Sequence, residues 1–299
     1  MVPPVVATLG NFDGVHLGHQ QIVAQLRQER DALGGGTLLL LSFYPHPLEV
    51  LRSQEKVRVL TPLRQKVELL AAAGLDAFAL LHFTPEVSRL SAHEFIHGVL
   101  FDALAIESLV VGPDACVGHD REGTPEYLQA QFLAKGKRLT VLPFYALNGK
   151  KVSSGVIRRL IEEGSVDQAA VLLGRTYILD GLVVHGDRRG STIGIPTANL
   201  APSRQVLPAL GVYAAWAEID GVRHASVTNV GMRPTFGGSR TVVETHLMDY
   251  HGQDFYGERI KVHLVKRLRG EQKFQGIETL VTQIRKDMEV ARCVLSSDD

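Results

Sequence analysis

The chain has 299 residues, 45% hydrophobic and 21% charged, which is long enough for two domains that each bury a core. Lysine plus arginine equals aspartate plus glutamate at 32 each, so no global field draws in nucleic acid or an acidic membrane, and any anion site must be local. Cys116 and Cys293 lack metal-ligand spacing, the apolar run around Leu38 to Leu41 is too short for a bilayer, and Met1-Val2-Pro3-Pro4 does not open a signal peptide. The expectation is a cytoplasmic enzyme or binding protein with neither nucleic-acid nor membrane partners.

The first half alternates strand and helix. Val5 to Leu9 reads as a strand, Gln20 to Leu33 as a helix with Ile22, Val23, Leu26 and Leu33 at helical spacing, and Thr37 to Phe43 as a strand covered on both faces. Pro62 to Ala73 reads as a helix stopped by Gly74, and Ala77 to Phe83 as a strand. Ser91-Ala92-His93-Glu94 is a capping box that opens a helix with Phe95, Ile96, Val99 and Leu100 inward. Ser108 to Val111 follows as a strand, Thr124-Pro125 opens a helix, Leu139 to Phe144 reads as a strand, and Ser154 to Glu163 as a helix closed by Gly164. This alternation predicts a parallel sheet with helices on both faces. After Gly174 the pattern becomes strand-like alternation, as in Tyr213 to Ile219 and Ile260-Val262-Leu264, punctuated by glycines as in an antiparallel barrel. A last helix carries Ile277, Leu280, Ile284 and Met288 on one face. The fold class is α/β plus all-β, with the boundary near residues 164–174 and domains at 1–170 and 171–299.

Between the first strand and first helix runs Gly10-Asn11-Phe12-Asp13-Gly14-Val15-His16-Leu17-Gly18-His19, at the strand end where parallel sheets bind ligands. His16 and His19 share a face of an incipient helix, whose unpaired N–H groups suit a phosphate, and Gly18 lets a nucleotide approach the backbone. Both side chains are expected on the surface of the site. The chemistry that fits is nucleotidyl transfer, with charge developing on the α-phosphate and the leaving pyrophosphate. An isolated H-x-G-H would read instead as an Asp-Gly turn opening a helix with two surface histidines. The longer string, with Ser42-Phe43-Tyr44-Pro45-His46-Pro47, resembles the adenylyltransferase half of the bacterial bifunctional riboflavin kinase/FMN adenylyltransferase family. That resemblance implies a Rossmann-like nucleotidyltransferase domain with His16 and His19 catalytic. It implies Gly10, Asn11 and Gly18 at the ATP phosphates, and Phe43, Pro45 and Asp114 at the flavin. Ser153, Ser154 and Arg158 match the family's Ser-Ser-Thr-x-Ile-Arg at the ATP phosphates, with Gly155 in place of threonine. The family's Asp-Phe-x-Phe-Gly loop reads here Asp114-Ala115-Cys116-Val117-Gly118, without the aromatics.

No G-x-x-x-x-G-K-[ST] occurs, which excludes a Walker-type kinase. The second half offers instead Gly186, Gly190 and Gly194 with Arg188 and Arg189, a loop whose amides suit phosphates. Pro196-Thr197-Ala198-Asn199 follows, where Thr197 and Asn199 supply neutral oxygens for Mg²⁺. With Asn229-Val230-Gly231-Met232-Arg233-Pro234-Thr235, Val243-Glu244-Thr245-His246-Leu247 and Arg269-Gly270-Glu271-Gln272-Lys273-Phe274, this half resembles riboflavin kinase. The resemblance implies a six-stranded Greek-key barrel with a C-terminal helix, Glu244 as base, and Asn229 and Arg233 at the flavin. Ser191 stands where the family commonly has arginine. Strand alternation puts Glu244 and His246 on one face, His246 reading as a structural histidine.

The leading reading is ATP-dependent phosphorylation of riboflavin to FMN in the second domain and adenylylation of FMN to FAD in the first, with Mg²⁺ carried by ATP. The alternatives are a riboflavin kinase with a degenerate first domain, kept open by Ala115, Val117 and Gly155, and a flavin-binding regulator without turnover. The expected partners are the small-molecule substrates riboflavin, FMN and ATP, on a monomer or weak homo-oligomer.

Overall fold

A computed structural model describes residues 1–52, 57–185, 195–202, 204–235, 238–250, 252 and 255–297, with the backbone alone at 234–235 and 238–240. The chain divides into two compact units, Met1–Arg58 with Leu63–Ser153, and Val59–Pro62 with Ser154–Asp299.

In the first unit, strands β1 (Val5–Leu9), β2 (Thr37–Tyr44), β3 (Ala77–His82), β4 (Ile106–Val111) and β5 (Arg138–Val141) form a sheet in the order β3-β2-β1-β4-β5, every pair parallel. The helices are α1 (Leu17–Ala32), α2 (Pro47–Leu51), α3 (Leu63–Ala72), α4 (Ala92–Glu94), which continues in π-helical geometry over Phe95–Ala103, and α5 (Pro125–Ala134). Strand order reverses between β1 and β4, so the loops leaving their carboxyl ends flank the crevice where such sheets bind ligands. One face packs Ala7, Leu39, Leu41 and Leu109 against Phe95, Ile96, Leu100 and Phe132, and the other packs Val6, Leu38 and Val110 against Leu26. The near-continuous apolar character of β1 and β2 comes from burial on both faces. Ser91 and Glu94 form the expected reciprocal capping box, and Phe95, Ile96 and Leu100 are buried.

Strand β5 ends at Val141, short of the Phe144 that the apolar run suggested. The amide of Leu142 still reaches the Val111 carbonyl at 2.8 Å, but Pro143 has no N–H with which to continue the ladder. A hairpin of β6 (Ala146–Leu147) and β7 (Lys150–Lys151) follows, turned by Asn148 and Gly149 at φ 51° and 75°, the left-handed pair that an Asn-Gly turn favours. Glu29 of α1 is buried, and its carboxylate accepts from the hydroxyls of Ser108 on β4 and Thr140, tying the helix to the sheet.

The second unit holds α6 (Ser154–Glu163), α7 (Val166–Leu173), strands β8 (Tyr177–Val184), β9 (Ala198–Pro202), β10 (Gly211–Ile219), β11 (Val222–Thr235), β12 (Gly238–Leu247) and β13 (Arg259–Arg269), and α8 (Ile277–Leu295). The strands close an antiparallel Greek-key barrel in the order β10-β11-β12-β9-β8-β13, with β13 returning to β10. A boundary at 170/171 therefore falls within α7. Helix α6 ends as expected at Gly164, φ 85°, where the amides of Gly164 and Ser165 return to the carbonyls of Ile161 and Leu160 at 2.9 and 2.8 Å.

The four-residue segment Val59–Pro62 also belongs to this unit. The Val59 amide donates to the Arg204 carbonyl, and the Val206 amide to the Val59 carbonyl, both at 2.9 Å. Buried Gln205 donates to the carbonyls of Leu60 and Ile178 at 3.3 and 2.9 Å and accepts from the Asp180 amide at 2.7 Å. On α8 the expected face is corrected, because Ile277 is exposed, with Leu280 and Ile284 only half-buried. The helix docks through its C-terminal half, with Met288, Ala291, Val294 and Leu295 against Val212, Ala214 and Val227. Beside them the buried Asp287 carboxylate accepts from Arg269 at 2.8 to 3.1 Å.

Candidate active sites

The loop from β1 into α1 has left-handed backbone at Phe12 (φ 47°) and Val15 (φ 42°) as well as at Gly10 and Gly14. Each such non-glycine residue costs roughly 1–3 kcal/mol, so the loop holds only where its surroundings fix it. Phe12 and Val15 are buried with Val23, Leu40 and Leu70. The Gly10 amide donates to the Leu41 carbonyl at 3.0 Å, Gln20 to the Val15 carbonyl at 3.0 Å, and the Lys66 ammonium to the Asn11 carbonyl at 2.5 Å.

His16 is the N-cap of α1, its Nδ1 accepting from the His19 amide at 3.4 Å. With Nδ1 accepting, the neutral ring carries its proton on Nε2. The His16 and His19 rings stack at 3.7 Å, and Phe12 stacks on His19 at 4.4 Å. His19 is half-buried, but His16 is only 6% exposed, which corrects the expectation that both lie on the site surface. The cap explains the difference, since it tucks the His16 ring against the first helical turn. A Cβ at Gly18 would stand 3.2 Å from that ring and 3.3 Å from Tyr145, so glycine leaves room for the cap itself. The first turn of α1 carries no acidic residue, so its dipole keeps the positive potential that favours an anion.

Asn11 joins this loop to the second motif, its carboxamide lying 3.1 Å from His46 Nε2 while His46 Nδ1 accepts from the Leu48 amide at 3.2 Å. Phe43, at the end of β2, packs edge-on against Phe83 at 5.7 Å, and the Tyr44–Pro45 peptide is cis. Asp114 is exposed just past β4, while Val117 is buried and Ala115 packs against the same core, so two positions that are aromatic in the family here complete the hydrophobic layer. Gly118, φ 79°, is fixed by close approach, because a Cβ there would sit 2.4 Å from the Ala92 amide nitrogen. Ser153 ends the first unit, and Ser154 and Arg158 lie on α6 of the second. A Cβ added at Gly155 would meet no atom within 4 Å.

Lys66 is the residue that the sequence reading missed. It follows α3 inward, sharing a face with Leu69, Leu70 and Ala73, and burial lowers its pKa below the ordinary lysine value, partly offset by the Asp13 carboxylate. The legible signal was a lysine on the apolar stripe of an amphipathic helix, where lysine is rarely found without a partner.

In the barrel, Asn199 of β9, Glu244 of β12 and Asn229 of β11 stand directly opposite one another in one cross-strand row. Glu244 is half-buried, with Val243 and Thr245 buried on either side of it, as the expected alternation requires. Its Oε1 lies 3.6 Å from Arg233 Nη2. His246, on the same face, donates from Nδ1 to the Pro196 carbonyl at 2.7 Å and so anchors the segment entering β9. Beside it a cavity of about 150 Å³ is lined by Thr197, Pro196, Val183, Leu247, Tyr250 and Tyr256. The Met232 amide donates to Glu271 Oε1 at 3.2 Å, bringing the segment after β13 to the end of the row. Gly186, Arg188, Arg189, Gly190 and Gly194 lie outside the described residues.

Among the described residues no three His, Cys, Asp or Glu side chains are grouped to hold a metal. Thr197, which lines the cavity, and Asn199, opposite Glu244, carry a hydroxyl and an amide oxygen, the neutral oxygen type that a hard cation such as Mg²⁺ takes. Among the same residues no helix is long and apolar enough to cross a membrane.

The riboflavin kinase family model matches residues 173–295 and the FAD synthetase family model residues 2–156. The chain is 37% identical over 291 residues to a bifunctional riboflavin kinase/FMN adenylyltransferase of Bacillus subtilis, covering 96% of this chain and 91% of that protein. It is 37% identical over 290 residues to the protein of the same description in Escherichia coli, again covering 96% and 91%. A crystal structure described as a macrolide-efflux protein from Streptococcus pneumoniae has a TM-score of 0.87 at 30% identity, covering 98% of this chain and 95% of that one.

Proposed function

The chain belongs to the bifunctional riboflavin kinase/FMN adenylyltransferase family, and from that premise we propose how its residues divide the two reactions. It phosphorylates riboflavin to FMN and adenylylates FMN to FAD. We assign adenylyl transfer to residues 1–170 and phosphoryl transfer to residues 171–299.

The row Asn199–Glu244–Asn229 carries the kinase assignment. Glu244 takes the proton from the riboflavin hydroxyl as its oxygen attacks the γ-phosphorus, and ADP leaves. Arg233 orients that carboxylate, and with Asn229 it positions the flavin. Thr197 and Asn199 would hold Mg²⁺, which would supply neutralisation of the phosphate charge. The cavity beside Thr197 accommodates part of the nucleotide, and Gly186, Arg188, Arg189, Gly190 and Gly194 complete the phosphate grip.

In the first unit an oxygen of the FMN phosphate attacks the α-phosphorus of ATP, and pyrophosphate leaves. His16 fixes the first turn of α1 and orients His19, and both stabilise the charge that develops, with the amides of the Gly10–Gly18 segment. Ser153, Ser154 and Arg158 hold the triphosphate, and Phe43, Pro45 and Asp114 contact the flavin. The protein acts in the cytoplasm on these small molecules, as a monomer or weak homo-oligomer.

Glu244→Gln tests the kinase assignment. It preserves shape and removes basicity, so FMN formation falls by about a hundredfold or more, the scale of a general base. Riboflavin phosphorylation at the parental rate would overturn the assignment.

A further inference from the structure

We propose that Lys66 is a positioning residue for adenylyl transfer, its ammonium clamping the Asn11 carbonyl so that the β1–α1 loop holds Phe12 against His19. The proposal rests on the reading of His16 and His19 as the adenylyl-transfer site.

The loop spends backbone energy on two left-handed non-glycine residues, Phe12 and Val15, on either side of Asp13 and Gly14. Its ring stack runs Phe12–His19–His16, so the conformation at Phe12 sets where the His19 imidazole stands. Polar ties to its backbone hold the loop from outside. The amide of Gly10 is held by β2, the Val15 carbonyl by Gln20 of α1, and the Asn11 carbonyl, next to strained Phe12, by Lys66 of α3 at 2.5 Å. The Asn11 side chain meanwhile faces His46, so one residue couples α3, the loop and the second motif. A partly desolvated ammonium is costly to place, and burial lowers its pKa in keeping with that cost. A lysine that served only solubility would snorkel outward from this helix face. The charge-assisted bond to a backbone carbonyl is stronger than a neutral one, and it acts beside one of the loop's two left-handed non-glycine residues.

The test compares full-length parent, Lys66→Met and Lys66→Arg for FAD formation from FMN and ATP, with riboflavin phosphorylation as the control. Lys66→Met lowers kcat by at least about tenfold, the scale of one hydrogen bond to a charged group, and leaves KM for ATP within about threefold. Lys66→Arg restores most of kcat, and phosphorylation is unchanged in both. Thermal melts establish that the first unit is folded; if Lys66→Met is not, Lys66→Gln replaces it under the same criterion. A folded neutral variant with parental kcat, an effect confined to KM, or a folded arginine variant as slow as the neutral one would overturn the proposal. So would loss of the folded first unit in both neutral variants, which would make Lys66 a stability residue. If His19→Ala forms FAD at the parental rate, the underlying site reading fails, and that outcome is separate from any result at Lys66.

Discussion

At the scale of the residue, the two histidines of the first motif have different physical duties. His16 is buried and caps α1, whereas His19 is half-buried and stacked between His16 and Phe12. Losing an N-cap costs about 1 kcal/mol, which shifts melting by roughly 2–4 °C in a unit of this size. His16→Ala is therefore expected to lower both the melting temperature and FAD formation, and His19→Ala to lower FAD formation with a smaller thermal shift; differential scanning calorimetry beside a product assay separates them. Equal thermal shifts would remove the capping account. The residues that were legible in the sequence carry a motif around them, as His16, His19 and Glu244 do. Lys66 has no such string, and its signal is a charge on a buried helix face whose partner, a backbone carbonyl, has no residue identity to read.

At the scale of the element, Gly155 lies in the first turn of α6, with open space where a side chain would go. Gly155→Thr adds the hydroxyl that the family carries without a steric penalty. One added hydrogen bond to a charged phosphate contributes roughly 1.5–3 kcal/mol, so KM for ATP in FAD formation falls at least about tenfold. An unchanged KM would show that this turn does not meet the triphosphate. Most elements were readable from period and punctuation, because strands buried on both faces and helices ended by glycine leave strong local marks. Three were not. The Asn148-Gly149 hairpin carried a standard turn signal but had strands of two residues each, too short to show alternation. Pro143 ended β5 inside an apolar run, and the π-helical stretch after Ser91 shares its apolar spacing with an ordinary helix closely enough to hide. On α8, spacing found the helix but not which half docks.

At the scale of the whole molecule, the second unit is not one continuous stretch of chain. It takes in α6 and the segment Val59–Pro62, with Leu60 1% exposed and its carbonyl bound to Gln205, 145 residues away in sequence. Four residues have no periodicity, and a partner so distant leaves no local mark, so sequence reading could not place them. A barrel fragment starting at Val171 would cut α7, lose α6 with its buried Ile157 and Ile161, and leave Gln205 short of an acceptor. Full burial of one such isoleucine contributes about 1.5–3 kcal/mol. In urea the fragment from Ser154 is expected to outlast the fragment from Val171 by at least that much, and coincident midpoints would show that α6 adds nothing to the barrel.

The central claim is that one chain runs two reactions at separately placed residues. It is tested most directly by giving riboflavin, ATP and Mg²⁺ to parent, Glu244→Gln and His19→Ala proteins and separating FMN from FAD over time. The parent should pass riboflavin through FMN to FAD. Glu244→Gln should make FAD only when FMN is supplied, and His19→Ala should accumulate FMN. A folded Glu244→Gln protein that makes no FAD from supplied FMN, a folded His19→Ala protein that makes no FMN from riboflavin, or parental progress curves in both variants, would contradict the account.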